Sequence, residues 1–290
     1  MKVGAIAMID ALGFKGIWRR PGISADTILG KLRALVEKTE ARLDEPFHSR
    51  AARQGLGENY GNAYELVQAT FLSDTVVIAV AKKSPHDLTA QIAAARPDLK
   101  VPVAAAGFRT AFFEASVIVD AASFVSAVVK LAAETEPFLS FRGAISYGEF
   151  EMTEDGRFIV GPAVDDAAEN HASAQGAFAW VTPAAHAVLV APNHITAGGD
   201  PPPRHPMPLI RYDVPIKGGD RFSTYAVTPF ASCKTKEECA AIRGRILDSF
   251  ADPKLEVAIK KQETARFLDT ALSQWTSEPP SVAEPPPPSR

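Results

Sequence analysis

Two aspartates stand where a carboxylate is hard to explain as ordinary surface. Asp10 closes the apolar run Val3-Gly-Ala-Ile-Ala-Met-Ile9 and is followed by Ala-Leu-Gly13-Phe14, after which the sequence turns helical. Asp74 sits in a Ser73-Asp74 turn between the runs Tyr64–Leu72 and Thr75–Ala81. Burying a carboxylate is costly unless a cation or hydrogen-bond donors satisfy it. Taken alone, Asp10 reads as a helix N-cap at a strand exit. It reads equally as a metal ligand whose neighbouring N–H groups face a polyphosphate. The second carboxylate favours the metal. In an antiparallel sheet a hairpin tip can lie beside the end of the strand it pairs with. Two carboxylates there can hold one or two divalent cations, with a nucleotide triphosphate supplying the remaining oxygens. The Gly13-Phe14 peptide leads into a helix whose first N–H groups suit a phosphate.

The elements that must position these residues are legible as apolar runs and periodicities. Ser24 caps an amphipathic helix to about Asp44, with Ile28, Leu32, Leu35, Val36 and Leu43 on one face. Residues 45–62 are polar and Gly-rich, a loop. Tyr64–Leu72 and Thr75–Ala81 form a hairpin with Asp74 at its tip. Asp87–Ala95 is a candidate helix, Asp98–Val103 a loop, and Asp120 a cap for a helix bearing Phe124, Val125, Val128, Val129 and Leu131. Phe141–Phe150 alternates as a strand, Glu154-Asp-Gly156 is a turn, and Arg157–Val160 returns. Gly161-Pro162 opens a helix to about Ala174. A short strand at Phe178–Val181 and a helix to about Val190 follow. Ala197–Pro208 is Gly/Pro-rich and irregular, and two more strands lie near Leu209–Val214 and Phe222–Val227. Lys236–Trp275 is helical with a break at Asp252-Pro253. Strands, hairpins and helices together imply an α/β (α+β) sandwich with a largely antiparallel sheet flanked by helices. The expected division is a domain over residues 1–230, a helical extension over 236–275, and a Pro-rich tail over 277–290 that builds no core.

Composition narrows the classes. The 290 residues are 46% hydrophobic and 22% charged, enough for a sizeable core. A net charge of −3 with no basic stripe disfavours nucleic acid and anionic membrane as partners. Cys233 and Cys239 lack two further ligands at zinc spacing, so a reduced, cytoplasmic chain is the expectation. No signal peptide and no membrane span are expected.

Four blocks carry a family resemblance over roughly residues 3–230. Ala7-Met-Ile-Asp-Ala-Leu-Gly-Phe14 resembles the F-x-D-x-x-G-F signature of class III nucleotide cyclases, with Met8 for the first Phe. Phe71-Leu-Ser-Asp-Thr75 resembles their second metal-aspartate hairpin. Arg142-Gly-Ala-Ile-Ser-Tyr-Gly148 resembles their R-x-G-I-x-x-G strand, and Gly161-Pro-Ala-Val-Asp-Asp-Ala-Ala168 the start of their G-x-x-V-N-x-A-x-R helix. The wording of the blocks, with Tyr212-Asp-Val-Pro-Ile216 later, is most similar to the pyrimidine cyclases of bacterial antiphage systems. The resemblance implies a homodimer with active sites at its interface. It implies two Mg2+ or Mn2+ ions on Asp10, the Ala11 carbonyl and Asp74, with Gly13, Phe14 and Thr70 toward the nucleotide. It also implies attack of the ribose 3′-oxygen on the α-phosphorus, and a cyclic product that acts on a separate effector protein.

The departures narrow the expectation. The purine-reading Lys of adenylate cyclases corresponds to Thr70 and its acidic partner to Phe158, so a smaller base, UTP before CTP, is expected. The usual Asn and Arg of the last block correspond to Asp165 and Glu169. Carboxylates cannot replace an Arg on developing phosphate charge. Arg142, Arg109 or Arg50 is the candidate substitute, Arg142 also reading as a strand-end surface ion pair. The other readings are a slow enzyme or a catalytically dead, nucleotide-binding relative. Asp165, Asp166, Glu169, Asn170 and His171 read mainly as a solvated or dimer-facing helix surface. Tyr60 and Tyr64 could stack on a base, though Tyr64 reads mainly as packing.

Overall fold

β1 (Lys2–Leu12) runs through the middle of an eight-stranded sheet, and its sequence explains why. Ala5, Ala7, Ile9 and Ala11 point to one face and Ile6 and Met8 to the other, and both faces are covered. A strand buried on both sides needs a continuous apolar run rather than an alternating one. The computed structural model describes residues 1–12, 17, 22–53, 64–84, 86–87, 90, 106–134, 136–195, 208–250, 252 and 254–275. The sequence-predicted site residues Gly13 and Phe14, together with Tyr60, the 98–103 loop and the 277–290 tail, lie outside the described residues. So do the side chains of Arg50 and Arg109.

The remaining elements follow in chain order. α1 is Ala25–Arg53, β2 Tyr64–Leu72, β3 Thr75–Lys82, α2 Ala106–Glu134, β4 Ser140–Met152 and β5 Ile159–Val160. α3 is Pro162–Asn170, β6 Ala179–Val181, α4 Pro183–Ile195, β7 Leu209–Pro215, β8 Arg221–Val227, α5 Lys236–Asp248 and α6 Leu255–Gln274. The strand order is β2-β3-β1-β4-β6-β8-β7, with β5 paired to β4. Every pairing is antiparallel except β4 with β6. The fold is therefore a mixed, mostly antiparallel sheet flanked by helices, as the pattern of elements predicts.

The larger core lies under α2, whose Ile118, Ala121, Ala122 and Val125 are fully buried. Its stretch Phe113–Glu134 is long and apolar enough to cross a membrane, which the sequence reading does not anticipate. Here it is the central core helix. α3 covers the second face, packing Ala163, Val164 and Ala167 on Ile6, Val77, Ala79 and Phe150. Cys239, Ile242 and Ile246 of α5 and Phe267, Leu268 and Ala271 of α6 share the larger core with the strands.

Several local expectations are corrected. Asp10 does not end its strand, because β4 pairs with β1 as far as Leu12 opposite Ser140. α1 continues to Arg53, past Asp44, and α3 stops at Asn170, short of Ala174. Asp120 caps nothing. It sits in the middle of α2, where Lys82 lies 2.6 Å from it and the Tyr64 hydroxyl donates to it at 2.8 Å. Lys82 also donates to Ser116 at 2.8 Å. A carboxylate can occupy a helix interior when a buried cation and a phenol satisfy it. Tyr64, buried and spent on that bond, is not placed to stack on a base.

Candidate active site

The register of four strands builds the site. On one face of the sheet Leu72 pairs with Thr75, Thr75 with Asp10, and Asp10 with Arg142. Paired residues in a ladder project to the same side, so Thr75, Asp10 and Arg142 form one row. The Thr75 hydroxyl donates to Asp10 Oδ1 at 3.5 Å, and Arg142 Nη2 faces Asp10 Oδ2 at 3.5 Å. Both contacts are long, so they orient the carboxylate without saturating its lone pairs. The β2–β3 turn reaches the same place. The Ala11 N–H donates to the Asp74 carbonyl at 2.9 Å, beside Ser73 in a left-handed conformation (φ 60°). Asp10, Ala11, Asp74 and Arg142 are thus brought together from three segments of the chain.

Arg142 is short of partners. Its side chain is 15% exposed, Nη1 donates to the Ala172 carbonyl at 3.4 Å, and its buried Nε has no hydrogen-bond partner among the described residues. A buried, unsatisfied donor costs ~1–3 kcal/mol, and a guanidinium edge of this kind fits an anionic oxygen. The ion pair that its sequence position near the start of β4 suggests does form, with Asp10, but it is mostly shielded rather than a surface pair.

A second cation lies nearby. Lys217 opens the β7–β8 turn, whose Gly218 and Gly219 have φ of 107° and 100°. Its N–H donates to the Ser173 carbonyl at 2.9 Å, one residue from the carbonyl that receives Arg142. Partial desolvation, then the charges of Arg142 and Lys260, push its ammonium below the usual lysine range, against a smaller opposing effect of Glu256. The Tyr212–Ile216 block stops one residue short of Lys217. A Lys before two glycines in a hairpin carries no metal or phosphate signature by spacing alone, so sequence reasoning misses it.

Thr70 lies on the same face, one row further along, opposite Val77. Its hydroxyl donates to the Gly156 carbonyl at 2.7 Å. Its proton is spent, and it can offer a base only acceptor lone pairs. Gly156 has φ 69°, and a Cβ there would lie 2.2 Å from Gln68 Nε2. The turn thus rests directly on Gln68 and Thr70, a second feature that sequence reasoning misses. Phe158 is 70% exposed on the far side of that turn.

The acidic face of α3 divides. Asp165 and Glu169 are exposed. Asp166 turns inward, where Oδ2 accepts from the Ser146 and Thr182 hydroxyls, each at 2.6 Å, and Oδ1 accepts from Asn170 at 3.0 Å. That corrects its reading as solvated surface: it bolts α3 to β4 and β6.

The donor set suits a hard cation. Asp10, Asp74 and the Ala11 carbonyl would offer oxygen donors, as Mg2+ and Mn2+ prefer. Among the described residues no group of three or more His, Cys, Asp or Glu could hold a metal ion. Two carboxylates would need substrate oxygens to complete a coordination shell.

No protein-family model matches this chain, and no curated protein matches it. Among solved structures it is similar to a crystal structure of the catalytic core of a rhodopsin-guanylyl cyclase with converted specificity, in complex with ATPalphaS. The identity is 14% and the TM-score 0.40, over 78% of this chain and 95% of that one. An overlap this loose leaves the functional assignment to the residues and their register.

Proposed function

We propose that this chain is a metal-dependent nucleotide cyclase that converts a pyrimidine triphosphate, UTP before CTP, to the 3′,5′-cyclic monophosphate and pyrophosphate. The observation that carries this reading is Asp10, held in one row between Thr75 and Arg142 with the Asp74 backbone bonded at Ala11. Asp10, Asp74 and the Ala11 carbonyl would hold two divalent ions. Bound there, such ions lower the pKa of the 3′-hydroxyl and neutralise charge on the phosphates. In the reaction the 3′-oxygen loses its proton and forms a bond to the α-phosphorus. The bond to the bridging oxygen breaks, and its electron pair leaves with pyrophosphate. Arg142, whose Nε has no partner among the described residues, and Lys217 supply cations for charge that develops on the phosphates. They take the role for which Asp165 and Glu169 have the wrong sign. Thr70 and Gln68, under the Gly156 turn, would line the base end.

A homodimer fits the exposure of Leu72, Phe158 and Val160, large apolar residues on the two hairpins that the Thr70–Gly156 bond joins. The cyclic product would serve as a messenger to a separate effector in a cytoplasmic antiphage system. The second reading, a nucleotide-binding module without turnover, is favoured by one observation, the exposed carboxylates Asp165 and Glu169 on α3.

The test is incubation with Mn2+ and each of the four ribonucleoside triphosphates, with products identified by chromatography and mass. A cyclic pyrimidine monophosphate that disappears in Asp74→Ala supports the proposal. A cyclic purine product overturns the base assignment. Nucleotide binding with no product from any of the four supports the module.

A further inference from the structure

Arg142 touches the candidate metal ligand Asp10 without gripping it. A charge-assisted bond between a guanidinium and a carboxylate usually closes to about 2.7–2.9 Å. Here Nη2 stands 3.5 Å from Asp10 Oδ2 and Nη1 3.4 Å from the Ala172 carbonyl, while the buried Nε has no partner among the described residues. Both side chains are nonetheless shielded, Arg142 15% and Asp10 20% exposed. Charges in such a place are screened less than at a surface, so the guanidinium acts on Asp10 even where it bonds it poorly. The register fixes the juxtaposition, because Arg142 is the residue opposite Asp10 where β4 pairs with β1.

The neighbouring groups leave this balance in place. Thr75 reaches Asp10 Oδ1 at 3.5 Å as a neutral donor. Asp74, whose carbonyl accepts from the Ala11 N–H, brings the second carboxylate. Set against Asp10 and Asp74 are Arg142 in contact and Lys217 on the turn bonded to the Ser173 carbonyl. Among the described residues, then, little net negative charge is offered to a divalent cation. A polyphosphate carries several negative charges and attracts both the metal and the guanidinium. Both of Arg142's bonds lie beyond the usual N–H···O range, so exchanging them for phosphate oxygens sacrifices little.

We propose that Arg142 makes metal uptake conditional on phosphate: beside Asp10 it holds off a divalent cation arriving alone, and a polyphosphate that engages the guanidinium admits the cation to Asp10 and Asp74. Metal and phosphate then bind with positive coupling, each raising the other's affinity by the same factor. The metal site rests on the cyclase reading of Asp10 and Asp74; the sign of Arg142's effect on it does not require turnover. A merely structural role for Arg142, holding the segment between α3 and β6 through the Ala172 carbonyl, predicts the opposite sign. Removing the side chain would then loosen the site and weaken metal binding.

The probes are Mn2+ alone and the preformed complex of Mn2+ with inorganic tripolyphosphate, each titrated by calorimetry into the full chain. Arg142→Gln should bind Mn2+ alone ~10-fold more tightly than wild type, the size of one partly screened charge, and the tripolyphosphate complex more weakly. Arg142→Lys should stay near wild type for Mn2+ alone, as should Arg243→Gln, an equal charge change at an ion pair on α5. Adding Asp10→Asn to Arg142→Gln should abolish the gain, which places it at this carboxylate. Arg142→Met, which keeps the apolar stem, gives the same signs should Arg142→Gln fail to fold. Mn2+ affinity that is unchanged or weaker without the Arg142 charge, or a gain that survives Asp10→Asn, overturns the inference. If the wild type turns over a nucleotide and Arg142→Gln binds Mn2+ no more tightly, the inference fails and the cyclase reading stands. If Arg142→Gln tightens Mn2+ as expected but the wild type turns over none of the four ribonucleoside triphosphates, the cyclase reading fails and the inference stands.

Discussion

Asp166→Ala is the sharpest test of how the two faces of the sheet are joined. The carboxylate accepts two hydroxyl bonds at 2.6 Å, from Ser146 and Thr182, and both residues are fully buried. A bond to a charged group contributes ~1.5–3 kcal/mol, and an orphaned buried hydroxyl costs ~1–3 kcal/mol. The Ala185 N–H donates to the Thr182 oxygen at 3.4 Å, but that bond uses a lone pair and gives the hydroxyl proton no other acceptor. Losing the carboxylate should therefore destabilise the fold by about 3 kcal/mol. For a domain of roughly this size that is a fall in Tm of ~6–12 °C. The exposed neighbour Asp165 provides the control, and Asp165→Ala should stay within ~1 kcal/mol of wild type, its interaction with the helix N-terminus included. Thermal melts by circular dichroism, repeated in urea, measure both. Adding Ser146→Ala to Asp166→Ala should recover part of the loss, because the buried Ser146 hydroxyl is then no longer left without an acceptor. An Asp166→Ala melt within ~2 °C of wild type would refute the reasoning, since one lost bond to a charged group already predicts more than that.

Other expectations follow from single features. Lys82→Met should cost ~3–5 kcal/mol by stranding the Asp120 carboxylate, and the double change Lys82→Met, Asp120→Leu should recover most of it in urea titrations. Lys31, buried against the Leu131 carbonyl, has its pKa pushed down to about 8, first by desolvation and then by Lys38, against an opposing effect of Glu134. A lysine whose folded pKa is depressed binds fewer protons than in the unfolded chain between that value and its ordinary range. Its contribution to stability therefore rises with pH across that window. Lys31→Met should accordingly melt higher than wild type below pH ~8, with the gap closing as pH rises, and a gap that is constant with pH would count against this. Gly156→Ala should cost ~1–2 kcal/mol, from its positive φ and the displaced Gln68 amide, and should raise the KM for nucleotide if the turn lines the base end.

Much of the local structure is written in the chain itself. The hairpin at Ser73-Asp74 is bounded by apolar runs whose alternation is a local property, so Tyr64–Leu72 is read to the residue and its partner to within one. The break between α5 and α6 follows from proline chemistry near Asp252. The approach of the Ser73-Asp74 turn to the β1 segment at Asp10 and Ala11 is legible for the same reason: each aspartate stands where an apolar run stops.

What only the tertiary structure decides is which distant residues meet. Arg142 faces Asp10 across 132 positions because β4 pairs with β1 in one register, and a slip of one residue would send it to the other face. Asp120 reads as a cap because an acidic residue before an apolar stretch usually is one. Lys82 and Tyr64, from two other elements, allow it inside a helix instead. Asp165 and Asp166 are adjacent acids on one short helix, yet one faces water and the other binds two buried hydroxyls, a difference set by where β4 and β6 place Ser146 and Thr182. Lys217 has no local signature at all, and only its backbone bond to Ser173 brings the β7–β8 turn to the segment whose Ala172 carbonyl receives Arg142. Periodicity encodes which side of an element is apolar. It does not encode what that side is packed against, because register and helix docking are settled by the sum of contacts over the whole sheet.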